Sequence, residues 1–523
     1  MKKRLILLAG LCLFGLQTNL SGQTPDTLYV HYSNHGTAIG KEMQTLCKLY
    51  IKPAEKLPKN IALSLSFLDL SDTPLSQIVA YSSSVDRIRD IVDYKTPTPI
   101  KAMNKPFTGG GGISFKFRFK DKYIANNVIY LTAKVNPNAP EGSLVKSEIR
   151  SALLNGKQMV IKSVNESERR VFKTYTTLWA PGDYNSKNYR IPAIITTKKG
   201  TIIAIADKRK ANIVDLPEDI DIVVKRSTDN GNTWSKPILV AEGQGRFKGY
   251  GDAAIVETKS GKLLMIYVGG TGLWQSRSND PNRTYISEST DDGLTWSAPR
   301  DITSQLFGEE NSNDMRKHWW ASFCASGNGC VTQNGRILFA AAVREGEMGS
   351  LNNYAYYSDD EGLTWKVSGP AMMGGDESKI IELKDGRLLM SIRNKFRGNR
   401  YYNISRDGGQ TWGTPAKWSE IIEPACNGAI MRYKHESRPN VEFLLHSIPF
   451  DKGARKNGTI FISNDEAKTW KWNKTIFKGS TAYTDLAILP NGDIGYFTEE
   501  DEPISLVFVR ISPEWLFEDA MKQ

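Results

Sequence analysis

The octet from Ser227 to Trp234 (Ser-Thr-Asp-Asn-Gly-Asn-Thr-Trp) returns four more times, and this repetition restricts the fold more than any other feature of the chain. The later copies begin at Ser289, Ser358, Ser405 and Ser463, and all keep Ser, Asp, Thr and Trp at the first, third, seventh and eighth places. A spacing of 47 to 69 residues fits one four-stranded sheet per copy plus variable loops. Each conserved place has a task at a hairpin turn. The Asp carboxylate and the hydroxyls bond the turn's own N–H groups, Gly takes positive φ, and Trp packs its apolar body between strands. The octets therefore read as blades of a β-propeller, and their aspartates are structural. The fifth copy has Ala467 where the others have Gly, which predicts a strained or altered turn, since a left-handed residue with a Cβ costs on the order of 1 kcal/mol.

At 523 residues the chain exceeds the roughly 250–300 that one core supports, so two units are expected. All 12 Trp lie at Trp179 or beyond, which marks a compositional boundary. Before it, alternating stretches at 113–120 and 128–135, separated by Gly-rich and Asn-Pro turns, read as antiparallel strands closing into a β-sandwich. The charged segment 165–170 reads as the linker. The expected division is residues 1–22 as a leader, 23–168 as the sandwich and 169–523 as the propeller. The sandwich resembles a carbohydrate-binding module in placement, but it lacks Trp for stacking on sugars, so a spacer role stands equally open.

Lys2, Lys3 and Arg4 precede an apolar run from Leu5 to Leu16, the pattern of a secretory leader and too short to span a bilayer. Export to the periplasm or beyond is the expectation. Cys12 lies in that leader without a small residue directly before it, which favours cleavage over lipidation. Cys47, Cys324, Cys330 and Cys426 are too few to staple the fold; Cys324 and Cys330 are placed either to pair or to stand as buried thiols. The five His show no zinc spacing, so no metal or other cofactor is expected. A formal charge of +11 is scattered without a basic run, which argues against nucleic acid as partner.

The octet is the Asp box. With Tyr189, Arg190, Ile191 and Pro192 just upstream of its first copy, the region from about residue 180 onward resembles the bacterial exo-sialidases, or neuraminidases, of the six-bladed propeller kind. The resemblance implies an all-β fold with a six-bladed catalytic propeller behind an N-terminal β-sandwich. It implies three arginines that grip a substrate carboxylate: Arg190, Arg393 and Arg455, with Arg438 a nearby competitor for the third place. Tyr483, in a Tyr-Thr-Asp-Leu that differs from the family's Tyr-Ser-Asp-Leu at Thr484, matches the nucleophile, and Glu377 its base. Asp215 matches the acid/base, with Asp219 and Asp221 as alternatives. Arg209 and Asp252 match sugar-binding positions, and Glu499 matches the carboxylate that supports the first arginine, with Glu500 as substitute and Thr498 replacing a usual Tyr.

The chemistry implied is hydrolysis of terminal α-linked sialic acids from glycans, glycoproteins and glycolipids. Guanidinium forks match a carboxylate and stay charged at any working pH. A neutral phenol can approach an anomeric carbon bearing that carboxylate where Asp or Glu would be repelled, but its pKa near 10 requires a base in reach. The pocket is expected on the propeller axis, opposite the Asp boxes. Rival readings are a non-catalytic sialic-acid-binding propeller, a glycosidase for another 2-keto sugar acid, and a trans-sialidase. Trp274, Trp319 and Trp320 are candidates for the aglycone side or for packing.

Overall fold

The computed structural model describes residues 25–32, 37–38, 44–67, 75–83, 101–102, 107–108, 114–120, 128–164, 167–347, 349–500 and 504–522. The leader at 1–22 lies outside them.

The N-terminal unit is a sandwich. One sheet is built on Thr27–Tyr32, Gln44–Lys52, Leu75–Ser83, Val128–Val135 and Val160–Ser163, and the other on Asn60–Phe67, Ser114–Lys120 and Ile149–Leu154. Alternating burial along Asn60–Phe67 turns Leu63 and Leu65 inward, against Leu28, Val30, Leu49 and Leu131 of the facing sheet. The two stretches read as strands from the sequence belong to different sheets: Ser114–Lys120 pairs with Asn60–Phe67, and Val128–Val135 lies between Gln44–Lys52 and Leu75–Ser83. Asn165 and Glu166 lie outside the described residues, but Glu168–Arg170, expected as linker, begin a strand, Glu168–Phe172, that pairs with Leu144–Lys146. The next strand, Thr174–Trp179, already belongs to the propeller.

The units meet on a packed seam. Arg170 donates to the carbonyls of Thr475 (3.0 Å) and Gly142 (3.1 Å) and lies over the Trp515 ring at 5.6 Å. Glu141 accepts the Ser512 N–H at 3.0 Å, and Lys478 pairs with Glu168 at 2.7 Å.

Six blades follow. The first runs Asn188–Thr196, Ile202–Arg209, Ile220–Ser227 and Ile238–Ala241, each strand antiparallel to the one before. Blades two to four begin at Tyr250–Glu257, Ala321–Cys324 and Ser378–Glu382. Blade five comprises Ala429–His435, Arg438–Pro449, Lys456–Ser463 and the first part of the long strand Trp472–Ile488. The rest of that strand opens blade six, which continues through Ile494–Glu500 and Ser505–Ile511 and is completed by Thr174–Trp179, the strand that follows the sandwich. Blade faces stack on one another, so strands such as Ile337–Arg344 are buried at every position.

Every octet joins a blade's third and fourth strands. In the first, Asp229 accepts from Ser227 Oγ (2.8 Å), Thr233 N–H (2.9 Å) and Thr233 Oγ1 (2.6 Å), while Ser227 Oγ accepts the Gly231 N–H (2.9 Å). The fifth copy keeps this network: Ala467 N–H reaches Ser463 Oγ at 3.0 Å, with Ala467 held at φ 60°. That turn is strained but unaltered. Blade six has no octet because its third strand, Ser505–Ile511, and its fourth, Thr174–Trp179, are more than 300 residues apart and no turn joins them.

Candidate functional site

Register places the site. In blade one Thr196 pairs with Ile202 and Ile202 with Ser227, so the octet lies at one end; Arg190 pairs with Asp207 at the other. A cleft of about 290 Å³ opens at that second end, lined by Arg190, Asp215, Asp252, Glu377, Arg393, Arg455 and Tyr483 among others. Seven predicted residues from five blades thus share one cavity.

The innermost strands are bent where they present these side chains. Register slips between Arg190 and Ala193, between Gly251 and Ala254 and between Thr481 and Thr484, at the positions that deliver Arg190, Asp252 and Tyr483. Such bulges re-aim single side chains without disturbing the rest of a sheet. Ile191 (φ 63°), Asp252 (φ 55°) and Ala425 (φ 59°) adopt left-handed backbone, a strain that the surrounding bonds must hold. Glu499 holds the first: its carboxylate accepts Arg190 Nε and Nη2, both at 2.9 Å, the Ile191 N–H at 2.9 Å and the Tyr483 N–H at 3.3 Å. Burial alone would raise this carboxyl, but the Arg190 charge and these bonds override it and hold it below its ordinary value. Glu500, the proposed substitute, instead binds the Tyr175 hydroxyl at 2.6 Å.

Tyr483 is 8% exposed and stands amid the cations. Arg190 and Arg455 lie over its ring at 5.4 and 5.3 Å, and Arg393 Nη1 donates to its hydroxyl at 3.0 Å. The hydroxyl donates to Glu377 Oε2 at 2.5 Å. Burial, and then the Glu377 charge, push the phenol well above its ordinary value, with Arg393 and Arg455 opposing. Arg393 also bonds Glu377 and lies 3.4 Å from Asp376. Arg455 donates to the Ala425 carbonyl at 3.0 Å, an anchor that fixes its head beside the ring. Arg438 is elsewhere, paired with Glu514.

Asp215, on the loop after the second strand of blade one, is 69% exposed and meets Arg209 Nη2 at 2.5 Å. Its alternatives turn away: Asp219 and Asp221 bind Lys210, at 3.0 and 2.7 Å. Arg209 is not among the cleft-lining residues; it lies buried behind Asp215 and touches Asp207 at 3.2 Å. Burial, with the charges of Asp207, Asp215 and Glu377, raises Asp252 well above its ordinary value.

Sequence reasoning missed Asp376, Asp207 and an apolar wall of Leu216, Val268, Leu273, Phe323 and Leu351. Asp376 is adjacent to Glu377 in sequence and was open to notice; the wall comes from separate blades and carries no local signal. Trp274 lines the cleft and is 62% exposed, whereas Trp319 is buried against Tyr354 and Trp320 lies under Arg277 and Arg344. Cys47, Cys324, Cys330 and Cys426 are buried free thiols, which resolves the open pairing at 324 and 330.

Residues 216–496, more than half of the chain, match the BNR repeat-like domain. The chain belongs to that family. Among its curated relatives are a sialidase of Micromonospora viridifaciens, 33% identical over 331 residues, and one of Bacteroides fragilis (strain YCH46), 30% identical over 367. These alignments cover 60% and 66% of this chain but only 50% and 65% of the relatives' own lengths. Among solved structures, a Hadza microbial sialidase superposes with a TM-score of 0.69 over 93% of this chain and all of that one, at 22% identity. The intramolecular trans-sialidase of Ruminococcus gnavus gives 0.56 over 65% of this chain and 98% of that one, at 18% identity. Both likenesses concern the fold of this BNR chain, a sandwich-bearing propeller.

Proposed function

We propose that this BNR protein is an exported exo-sialidase that removes terminal α-linked sialic acids from glycoconjugates, with retention of anomeric configuration. The carrying observation is the environment of Tyr483: a phenol in hydrogen bond to Glu377, with three guanidinium groups around it. The curated relatives named sialidase support the reaction class, and the charged and apolar blocks between Lys2 and Leu16 support export.

In this reading Arg190, Arg393 and Arg455 hold the sugar carboxylate. Asp215 gives its proton to the glycosidic oxygen as the anomeric bond breaks. Tyr483 forms a bond to the anomeric carbon while its proton passes to Glu377, which a phenol held above its ordinary pKa requires. The Asp215 carboxylate then takes a proton from water, the resulting hydroxide displaces the phenolate, and Glu377 returns the proton. Two inversions give net retention.

The test is digestion of α2,3-, α2,6- and α2,8-linked sialosides followed by proton NMR. Release of free sialic acid, first as the α anomer, is expected. Release of the β anomer first overturns retention, binding without cleavage indicates a sialic-acid-binding propeller, and products joined to added galactosides indicate transfer.

A further inference from the structure

We infer that Asp207 is a positioning residue for the acid side of the cleft: fixed between two blades, it orients the guanidinium that carries Asp215. The inference rests on the role given to Asp215 above.

Asp207 is buried in the second strand of blade one. Its Oδ1 accepts the Asp252 N–H from blade two at 3.2 Å, and its Oδ2 accepts Arg209 Nη2 at 3.2 Å. The same Nη2 reaches Asp215 Oδ1 at 2.5 Å, and Nη1 reaches the Ile213 carbonyl at 2.5 Å. One guanidinium therefore joins a buried strand to the exposed loop that bears Asp215. The space is reserved: a Cβ on Gly251 would lie 3.1 Å from Asp207 Oδ2.

The groups that act on this cluster are Arg209, Asp215 and Asp252, with Glu377 and Arg190 beyond them. Lys208, Lys210 and Asp221 pair with one another instead. Three carboxylates around one guanidinium cannot all ionise without repulsion. Burial pushes Asp207 up to about 7, with Arg209 opposing and the Asp215 charge adding to it. Arg209 Nη2 is shared between Asp207 Oδ2 and Asp215 Oδ1, so the buried carboxylate sets where the guanidinium, and with it the exposed acid, stands at the cleft.

The experiment compares kcat and KM for the wild-type chain and Asp207→Asn on two substrates: a sialyl-lactose, whose alcohol leaving group needs the proton, and an aryl sialoside, whose leaving group departs without it. With Asp207 replaced, Arg209 loses the carboxylate that anchors it opposite Asp215, and the acid is no longer held in place. For sialyl-lactose kcat is expected to fall roughly tenfold with KM within about threefold, while both constants for the aryl sialoside stay within about threefold. Equal losses on both substrates, or a loss on neither, overturn the inference and reduce Asp207 to a structural role. Should Asp207→Asn not fold, Asp207→Ser removes the same carboxylate and reads the same split. A wild-type chain that cleaves neither substrate refutes the sialidase reading itself; wild-type cleavage of both with no split between substrates in the variant refutes this inference alone.

Discussion

Tyr483 and Glu377 lie 106 residues apart in sequence, on different blades, yet the phenol donates to the Oε2 of the glutamate across 2.5 Å. Removing the hydroxyl in Tyr483→Phe leaves the arginines in place, so turnover of an aryl sialoside should fall on the order of a thousandfold or more while affinity for a sialic-acid analogue persists. Glu377→Gln should lose roughly a hundredfold to ten-thousandfold in kcat. Steady-state kinetics beside calorimetric titration of the analogue checks both, and a Tyr483→Phe enzyme near the wild-type rate removes the nucleophile from the mechanism.

Arg455 and Arg438 were rivals on sequence, and the fold separates them. Arg455 stands beside the Tyr483 ring, whereas Arg438 pairs with Glu514 and lies near Gly492, at the turn between the first two strands of blade six. Arg455→Ala should weaken substrate binding by about 2 kcal/mol or more, read as a rise in KM of at least thirtyfold. Arg438→Ala should leave KM unchanged.

Glu499 couples the site to acid stability. Its folded pKa lies below the unfolded value near 4.3, so the stabilisation it provides is complete above that pH and is lost as pH falls through the folded value. Glu499→Gln strands a partly buried guanidinium and should cost about 3 kcal/mol at neutral pH. Chemical denaturation from pH 7 to pH 3 should show the gap between the two proteins narrowing toward the acid end; a constant gap contradicts the linkage.

Glycine at the fifth octet place is required for space in one copy and not in another. A Cβ on Gly362 would lie 2.1 Å from Leu264 Cδ1, so Gly362→Ala should destabilise by about 2–3 kcal/mol. Ala467 already fits its own surroundings, packed with Leu389, Trp418 and Trp470, and Ala467→Gly should change stability by less than about 1 kcal/mol as released strain offsets lost packing. Urea midpoints of the two variants test the contrast.

What could be read from the sequence was whatever chemistry is local. An octet carries its whole hydrogen-bond pattern within eight residues, so five blades were legible, and Arg190 and Tyr483 sat in short motifs of their own. Glu168–Arg170 were misread because charge suggested a linker, while their pairing partner, Leu144–Lys146, lies some 25 residues back. The wall of Val268, Phe323 and Leu351 forms only across blades, and Asp207 is fixed in part by the Asp252 N–H of blade two, neither of which a local window contains. The bulges behind Arg190, Asp252 and Tyr483 escaped for the same reason: a slipped register belongs to a pair of strands, not to one.

The strand Thr174–Trp179 completes the sheet that begins with Tyr483, by pairing with the chain's final strand, Ser505–Ile511. The ring that the three guanidinium groups surround is therefore held by a closure between segments more than 300 residues apart. A cut between Trp179 and Ser505 that let those two strands part would spare every charged group of the cleft and still loosen the sheet that fixes the phenol.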